Sequence, residues 1–348
     1  MYDFDNLQRV HNKIIDSGLI KSAVDDFKVD EIMDVELTGE GEHLWLWVEK
    51  KSCNTDWAAR ILAQQAGIKL QAVSYAGLKD RHAVTRQWFS LHLPGQEDPE
   101  FHDLDIDGIT ILDSGRHRQK LKRGTLQGNR FELMVRDLKT DSDEIETRLL
   151  TIAEQGVPNY FGRQRFGFDM GNLLKAEKMF AGFYRRLKKH HRSIYLSAAR
   201  SWIFNQILSA RIEQGNWNQY LSGDVLMLAG KTACFADDGS ADIAARISQR
   251  ELHPTAAMWG DGESLAAADC AQLETQQANA CRVLSEGLVA ARLKHERRAT
   301  RLLVKKMDWQ INADNLRLSF ELPAGAYATM VLREIGEFSE PERKRVEN

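Results

Sequence analysis

From residue 28 onward the chain alternates apolar and polar positions as strands do. KVDEIMDVEL and HLWLWVEK read as two strands around a turn at Gly39 and Gly41; in the second, Leu44, Leu46 and Val48 alternate against Trp45 and Trp47, so both its faces look covered. The period then changes. Asn54 or Thr55 caps a helix with Trp57, Ala58, Ile61, Leu62 and Ala66 on one face, ended by Gly67. QWFSLHL, GITIL and NRFELMVRDL return to alternation, and in the last Asn129, Phe131, Leu133 and Val135 share a face. This first part predicts a mixed sheet with helices.

Asp141 and Glu144 have the spacing of a capping box, and Ile145, Leu149, Ile152 and Ala153 form a helical stripe that stops at Gly156 and Pro158, a natural boundary. Helical patterns dominate from about 172 to 303, including SAARSWIFNQILSARIEQ and the stretch from Ser264 to His295. Strand-like LRLSFELP follows near the C-terminus. A strand that returns so late predicts an inserted domain. No internal repeat or low-complexity tract interrupts the pattern.

The length of 348 residues suits two domains, or one with a large insertion. With 43% hydrophobic and 28% charged residues and only 6 prolines, the chain should fold throughout. A net charge of -3 lacks the basic footprint of a general nucleic-acid binder, so any polyanion site must be local. Three clusters supply candidates: Arg116 to Arg123, Arg185 to Arg192 and Arg292 to Lys306 hold five, five and seven of the 47 basic residues. Each alone reads as a solvated face; three together favour a long anionic partner. Cys53, Cys234, Cys270 and Cys281 are scattered without a C-x-x-C pair and indicate neither a zinc site nor a disulfide framework. With no basic-then-apolar leader and no apolar run of spanning length, the expectation is a cytoplasmic protein that does not enter membranes.

The loop Gly77-Leu78-Lys79-Asp80-Arg81-His82 places one carboxylate among cations. Lys79 and Arg81 would keep Asp80 ionised, as a nucleophile or general base requires. On spacing alone, a solvated turn with surface ion pairs explains the run better. Asn129 and Phe131 offer an amide and an aromatic plate on one strand face, able to read and stack on a nucleobase; from periodicity alone, ordinary core packing beside Leu133 explains Phe131 better. Leu228-Ala229-Gly230-Lys231-Thr232 mimics the end of a phosphate-binding loop, but Gly223 is too far upstream and Val225 to Leu228 read as buried strand. H-E-x-x-H, G-x-G-x-x-G after a strand, and G-x-S-x-G are all missing from the sequence.

Taken in order, several segments resemble the TruD family of tRNA pseudouridine synthases, which modify uridine 13. They are Lys21 to Glu31 with Asp26-Phe27, the Ala76 to Ala83 loop, Gly128-Asn129 with Phe131, and Val157 to Gly167 (VPNYFGRQRFG). Leu196 to Arg200 (LSAAR), Phe204-Asn205, Leu322 to Thr329 (LPAGAYAT) and Arg333-Glu334 complete the set. The resemblance spans nearly the whole chain. It implies an α+β fold: a pseudouridine-synthase catalytic domain at 1–154 and 304–348, with a mixed, largely antiparallel sheet, interrupted by an inserted α/β domain at 155–303. It further implies Asp80 as the catalytic aspartate and Lys21, Phe27, Asn129, Phe131 and Tyr327 as residues about the target base. Tyr327 stands where the bacterial pattern has Phe. The implied reaction needs no cofactor or metal; the implied partner is tRNA, with no protein partner, and a monomer is expected. Two rival classes are an RNA-binding protein without catalysis and a two-carboxylate glycoside hydrolase, although no second carboxylate stands out beside Asp80.

Overall fold

The computed structural model describes residues 2–11, 16–101, 108–139 and 142–341. It divides into two compact units. A sheet unit comprises Ile14–Ala153, Val304–Gly325 and Ile335–Asn348; a helical unit comprises Met1–Lys13, Glu154–Leu303 and Ala326–Glu334. Residues 2–11 and 326–334 belong to the helical unit, whereas the resemblance grouped them with the sheet. The cause is burial: Phe4, Leu7 and Met330 join Tyr160, Phe166 and Trp202 in one apolar cluster. Arg333 donates to the carbonyls of Leu7 and Gln8, and Tyr160 Oη to that of Gln8 at 3.0 Å. Such long-range contacts leave no local periodicity to read.

The sheet unit begins with β1 (Asp16–Ile20), β2 (Phe27–Ile32), β3 (His43–Lys51), α1 (Thr55–Gln65), β4 (Val73–Tyr75), β5 (Val84–His92), β6 (Ile109–His117), β7 (Gly128–Arg136) and α2 (Ser142–Gln155). β2 and β3 do not form the expected hairpin. β5 lies between them, parallel to β2 with Val29 opposite Thr85, and antiparallel to β3 with Leu46 opposite Phe89. α1 turns Ala58, Ala59, Leu62 and Ala63 onto the core of Leu44, Leu46, Phe89 and Leu91, and leaves Trp57 37% exposed. The small alanines let the helix approach the sheet, displacing the buried face from the expected stripe. Asp141, half of the expected capping box, lies outside the described residues.

The helical unit contributes β8 (Val157–Pro158), α3 (Gly171–Phe180), α4 (Lys189–Glu213), β9 (Val225–Leu228), β10 (Cys234–Ala236), α5 (Ile243–Ser248), β11 (Leu252–Met258), α6 (Ala268–Ala280), α7 (Arg282–Ala290), β12 (Glu296–Ala299) and β13 (Arg301–Leu302). α4 buries Leu196, Ala199, Trp202, Ile203, Phe204 and Ile207 and forms the centre of the core. The stretch from Ser264 is two helices broken at Cys281, whose φ of -107° and ψ of 39° are not helical. β10, β9, β11 and β12 run antiparallel in that order, so helices here accompany an antiparallel sheet in place of α/β alternation. β9 occupies the segment read as strand, and Gly230 lies beyond its end with φ 72°.

The chain returns to the sheet unit through β14 (Lys305–Asn312) and β15 (Asn315–Pro323); α8 (Ala328–Ile335) and β16 (Gly336–Ser339) follow. The large sheet has the order β14-β15-β7-β2-β5-β3-β6, with β1 joined to β7 and β16, and β4 to β5. Among the described residues, β1–β16 and β2–β5 are its parallel pairs. The fold is thus α+β with a mixed, largely antiparallel sheet. One face aligns Glu31, Asn129 and Leu322 in a row, then Val29, Phe131 and Phe320, then Leu133 and Leu318 beside Phe27. Burying an apolar side chain of this size stabilises by about 1.5–3 kcal/mol, which holds the register of these three strands.

Candidate active site

The loop between β4 and β5, which carries Asp80, is fixed by buried polar groups from the surrounding elements. Gln87 on β5 donates through Nε2 to the Gly77 carbonyl at 3.2 Å and accepts from Thr55 Oγ1 at 3.0 Å. Thr55 Oγ1 in turn accepts from the Lys79 amide at 3.0 Å. Lys79 Nζ reaches 2.5 Å from Glu31 Oε1, and the other carboxylate oxygen of Glu31 accepts from the Trp88 amide at 3.1 Å. Lys50 Nζ donates to the carbonyls of Asp80 at 2.9 Å and Cys53 at 2.8 Å. Lys50 is fully buried; burial pulls its ammonium down to about 8, partly opposed by the charges of Cys53 and Asp80.

The Asp80 side chain is 35% exposed and is gripped on both oxygens: Oδ2 lies 2.5 Å from Lys21 Nζ, and Oδ1 accepts from the His82 amide at 2.9 Å. Burial raises its carboxyl, but the Lys21 charge and hydrogen bond and the His82 amide outweigh that and leave it below the ordinary carboxylate range. The cation beside Asp80 is therefore Lys21. Lys79, expected in that role from its place in the sequence, is instead committed to Glu31.

Lys21 adopts φ 57°, the left-handed region that a non-glycine residue enters only when its surroundings hold it there. Its ammonium also lies 4.7 Å from the centre of the Phe27 ring and 3.1 Å from Glu340 Oε1. Asp26, next to Phe27, accepts from the Ala23 amide at 2.7 Å and from Arg136 at 2.6 and 3.0 Å, and so sets the turn that delivers Phe27 into β2.

Phe27 and Phe131 meet edge to face with ring centres 6.4 Å apart, and Phe131 lies 5.5 Å from Phe320. Both Phe27 and Phe131 are buried, so the core reading of Phe131 is correct as far as packing goes. Asn129, directly opposite Glu31, has a buried Oδ1 to which no group among the described residues hydrogen-bonds. A buried acceptor without a partner costs about 1–3 kcal/mol, which suits an atom kept for a ligand. The sheet unit thus brings Lys21, Phe27, Asp80, Asn129 and Phe131 onto one face and its adjoining loops.

Tyr327 belongs to the helical unit. Its Oη accepts from Arg165 Nε at 3.0 Å and Nη2 at 2.7 Å, and its ring centre is 6.2 Å from that of Phe161. Arg298, half-buried and pulled down to about 10 by loss of solvation, lies 4.2 Å over Phe161 and donates to Asn159 Oδ1 at 2.5 Å. The Asn205 amide holds both backbone groups of Phe161 at 2.9 Å. The VPNYFGRQRFG and LPAGAYAT segments therefore meet in one cluster of aromatic rings and guanidinium groups.

Sequence reasoning passed over Lys50 and Gln87, and named Thr55 only as a helix cap and Glu31 only as the end of a segment. A faint signal exists: Lys50 and Gln87 are polar at strand positions flanked by apolar ones. Among the described residues no group of acidic, His and Cys side chains forms a metal cluster, and all four cysteines are free.

Comparison with known proteins adds a family to this geometry. The family model for tRNA pseudouridine synthase D (TruD) matches residues 14–173 and 169–335. The tRNA pseudouridine synthase D of Hydrogenovibrio crunogenus is 48% identical over 322 residues, covering 92% of this chain and 93% of its own. That of Ectopseudomonas mendocina is 47% identical over 328 residues, covering 94% and 93%. A crystal structure from Methanosarcina mazei, described as a putative tRNA pseudouridine synthase D, shares the fold with a TM-score of 0.73 at 22% identity, covering 94% of this chain and 95% of that one. With its motifs in order and the family model matched along most of its length, the chain belongs to the TruD family of tRNA pseudouridine synthases.

Proposed function

We propose that this protein isomerises uridine 13 of tRNA to pseudouridine, with Asp80 as the reacting carboxylate. The observation that carries the reading is the pairing of Asp80 with Lys21 on a loop tethered from four sides and joined through Lys21 to the Phe27 ring.

The reaction breaks the bond from ribose C1′ to N1, turns the uracil and joins C1′ to C5; N1 gains a proton and C5 loses one. Nothing is oxidised and no group leaves, so the demand is for a positioned carboxylate and not for an electron carrier. Asp80 either attacks C1′ or removes the C2′ proton to give a glycal. Lys21 keeps that carboxylate charged until the ribose arrives, and the tethers to Gly77, Lys79 and the Asp80 carbonyl hold it within the tight tolerance that such chemistry requires.

A stacked uridine is out of reach of a loop carboxylate, so the nucleotide must be flipped out. Asn129 Oδ1, without a partner among the described residues, is a ready acceptor for the uracil N3–H, and the Phe27–Phe131 pair supplies an apolar wall. The choice of position 13 follows the family resemblance.

The test uses Asp80→Asn with an unmodified tRNA transcript. Pseudouridine formation should fall by at least about 10²–10⁴-fold while tRNA binding stays near wild type. Near-normal turnover would remove Asp80 from the mechanism. Mapping pseudouridine in tRNA from cells with and without the gene tests the position, and no loss at 13 would overturn it.

A further inference from the structure

The three basic clusters differ once folded. In the first, Arg116 is committed to Asp98 and to the carbonyls of Gly41, Leu93 and Gln96, and Arg118 pairs with Glu40. In the third, Arg297 is buried against Glu274, Arg301 donates to the Ile247 and Leu252 carbonyls, and Lys306 pairs with Glu321. In the second, Arg185, Arg186, Lys188, Lys189 and Arg192 are all exposed, and none has an acidic partner among the described residues. Local composition favours this, because no Asp or Glu occurs between Glu177 and Glu213.

Beside these five charges stands an aromatic ring that the fold keeps out of its core. α3 ends in a motif in which the Phe183 amide donates to the Lys178 carbonyl at 3.0 Å and the Gly182 amide to the Met179 carbonyl at 3.1 Å, with Gly182 at φ 77°. In such helix ends the residue at the Phe183 position ordinarily packs back on the residue at the Lys178 position. Lys178 offers only a flexible aliphatic stem there, and Phe183 is left 78% exposed. Its neighbours turn inward: Leu187 packs against the core, and the Tyr184 and His191 rings lie near-parallel to buried Tyr195 at 6.4 and 6.2 Å.

We propose that residues 182–192 form a second RNA-contacting site, remote in sequence from the Asp80 loop, where the five cations follow the phosphates of a looped or single-stranded region of tRNA and Phe183 stacks on an unpaired base. This rests on tRNA being the substrate. Free cations next to an uncommitted aromatic plate are the two components of sequence-tolerant single-strand binding. An anionic membrane fits less well, since interfacial segments bury a broad apolar face and this one presents a single free ring with Leu187 turned in.

The test is binding of an unmodified tRNA transcript over a series of KCl concentrations. Replacing all five cations by Gln should make the slope of log affinity against log salt shallower by roughly 0.7 for each phosphate that the protein no longer neutralises. Phe183→Ala should weaken binding by about 5- to 100-fold at unchanged slope, and Phe183→Trp should restore it. An unchanged slope in the five-site variant, or equal affinity for Phe183→Ala and wild type, overturns the proposal. So does binding to phosphatidylserine vesicles that depends on these residues while tRNA binding does not. Binding is read without turnover, so a wild-type protein that binds tRNA but forms no pseudouridine would count against the isomerase reading alone.

Discussion

Lys21 Nζ lies 2.5 Å from Asp80 Oδ2, a pair formed between residues 59 positions apart in the chain. It is the contact that makes an exposed-looking Lys-Asp-Arg run into a candidate catalytic group, because it sets the charge of the carboxylate and ties it to the Phe27 ring. The strained backbone of Lys21 is consistent with a residue placed for this purpose.

Lys21→Met should therefore move the acid limb of the pH–rate profile upward. The Asp80 carboxyl is depressed in the folded protein, so it stays ionised, and its ion pair stabilises, above the unfolded value; both are lost as pH falls through the folded value. Without Lys21, burial acts unopposed by that charge and protonation sets in at higher pH. Single-turnover rates measured against pH check this, and an unmoved limb would assign the ionisation to another group. The stability change should be small, since Asp80 is about a third exposed.

Lys50→Met should lower the rate by roughly 100-fold, because it releases the Asp80 carbonyl and allows the loop to shift on the ångström scale. The same variant has a signature in stability. With a folded value of about 8 against 10.5 unfolded, Lys50 binds its proton less tightly in the folded chain. Its contribution therefore rises from about pH 8 to 10.5, where the unfolded state holds more protons. Urea titrations across that window should show this rise in wild type and not in the variant.

Lys79 and Glu31 form a buried pair, and removing one partner leaves a charge inside the protein. Lys79→Met should cost about 3–5 kcal/mol in urea unfolding, and the double variant Glu31→Leu with Lys79→Met should recover most of it. If the single and double variants are equally stable, the pair contributes no coupling.

Asn129→Ala should separate stability from activity. Asn129 Oδ1 makes no hydrogen bond among the described residues, so unfolding should shift by less than about 1 kcal/mol, whereas kcat/KM should fall roughly tenfold for one missing hydrogen bond to the base. A large stability loss with unchanged kcat/KM would make Asn129 a structural residue.

Much of this arrangement is legible in the sequence. The shared face of Asn129, Phe131, Leu133 and Val135, the long helix through Leu196 and Phe204, and the late strand LRLSFELP all follow from period and burial. Those signals are local: a residue's neighbours two or four positions away determine which side it faces. Asp80 is found by its ordered motif, which carries the family but says nothing of geometry.

What remained for tertiary structure was every choice among distant partners. Lys79 and Lys21 are equally plausible cations for Asp80 by charge alone; folding gave Asp80 to Lys21 and Lys79 to Glu31. The same holds for β5 lying between β2 and β3, and for residues 2–11 and 326–334 joining the helical unit. It also holds for the basic clusters, since composition shows where cations are but not which of them find a carboxylate. Period and capping act within a turn or a strand, while ion pairing and strand order are decided by which surfaces meet when apolar area is buried, and that requires the folded chain.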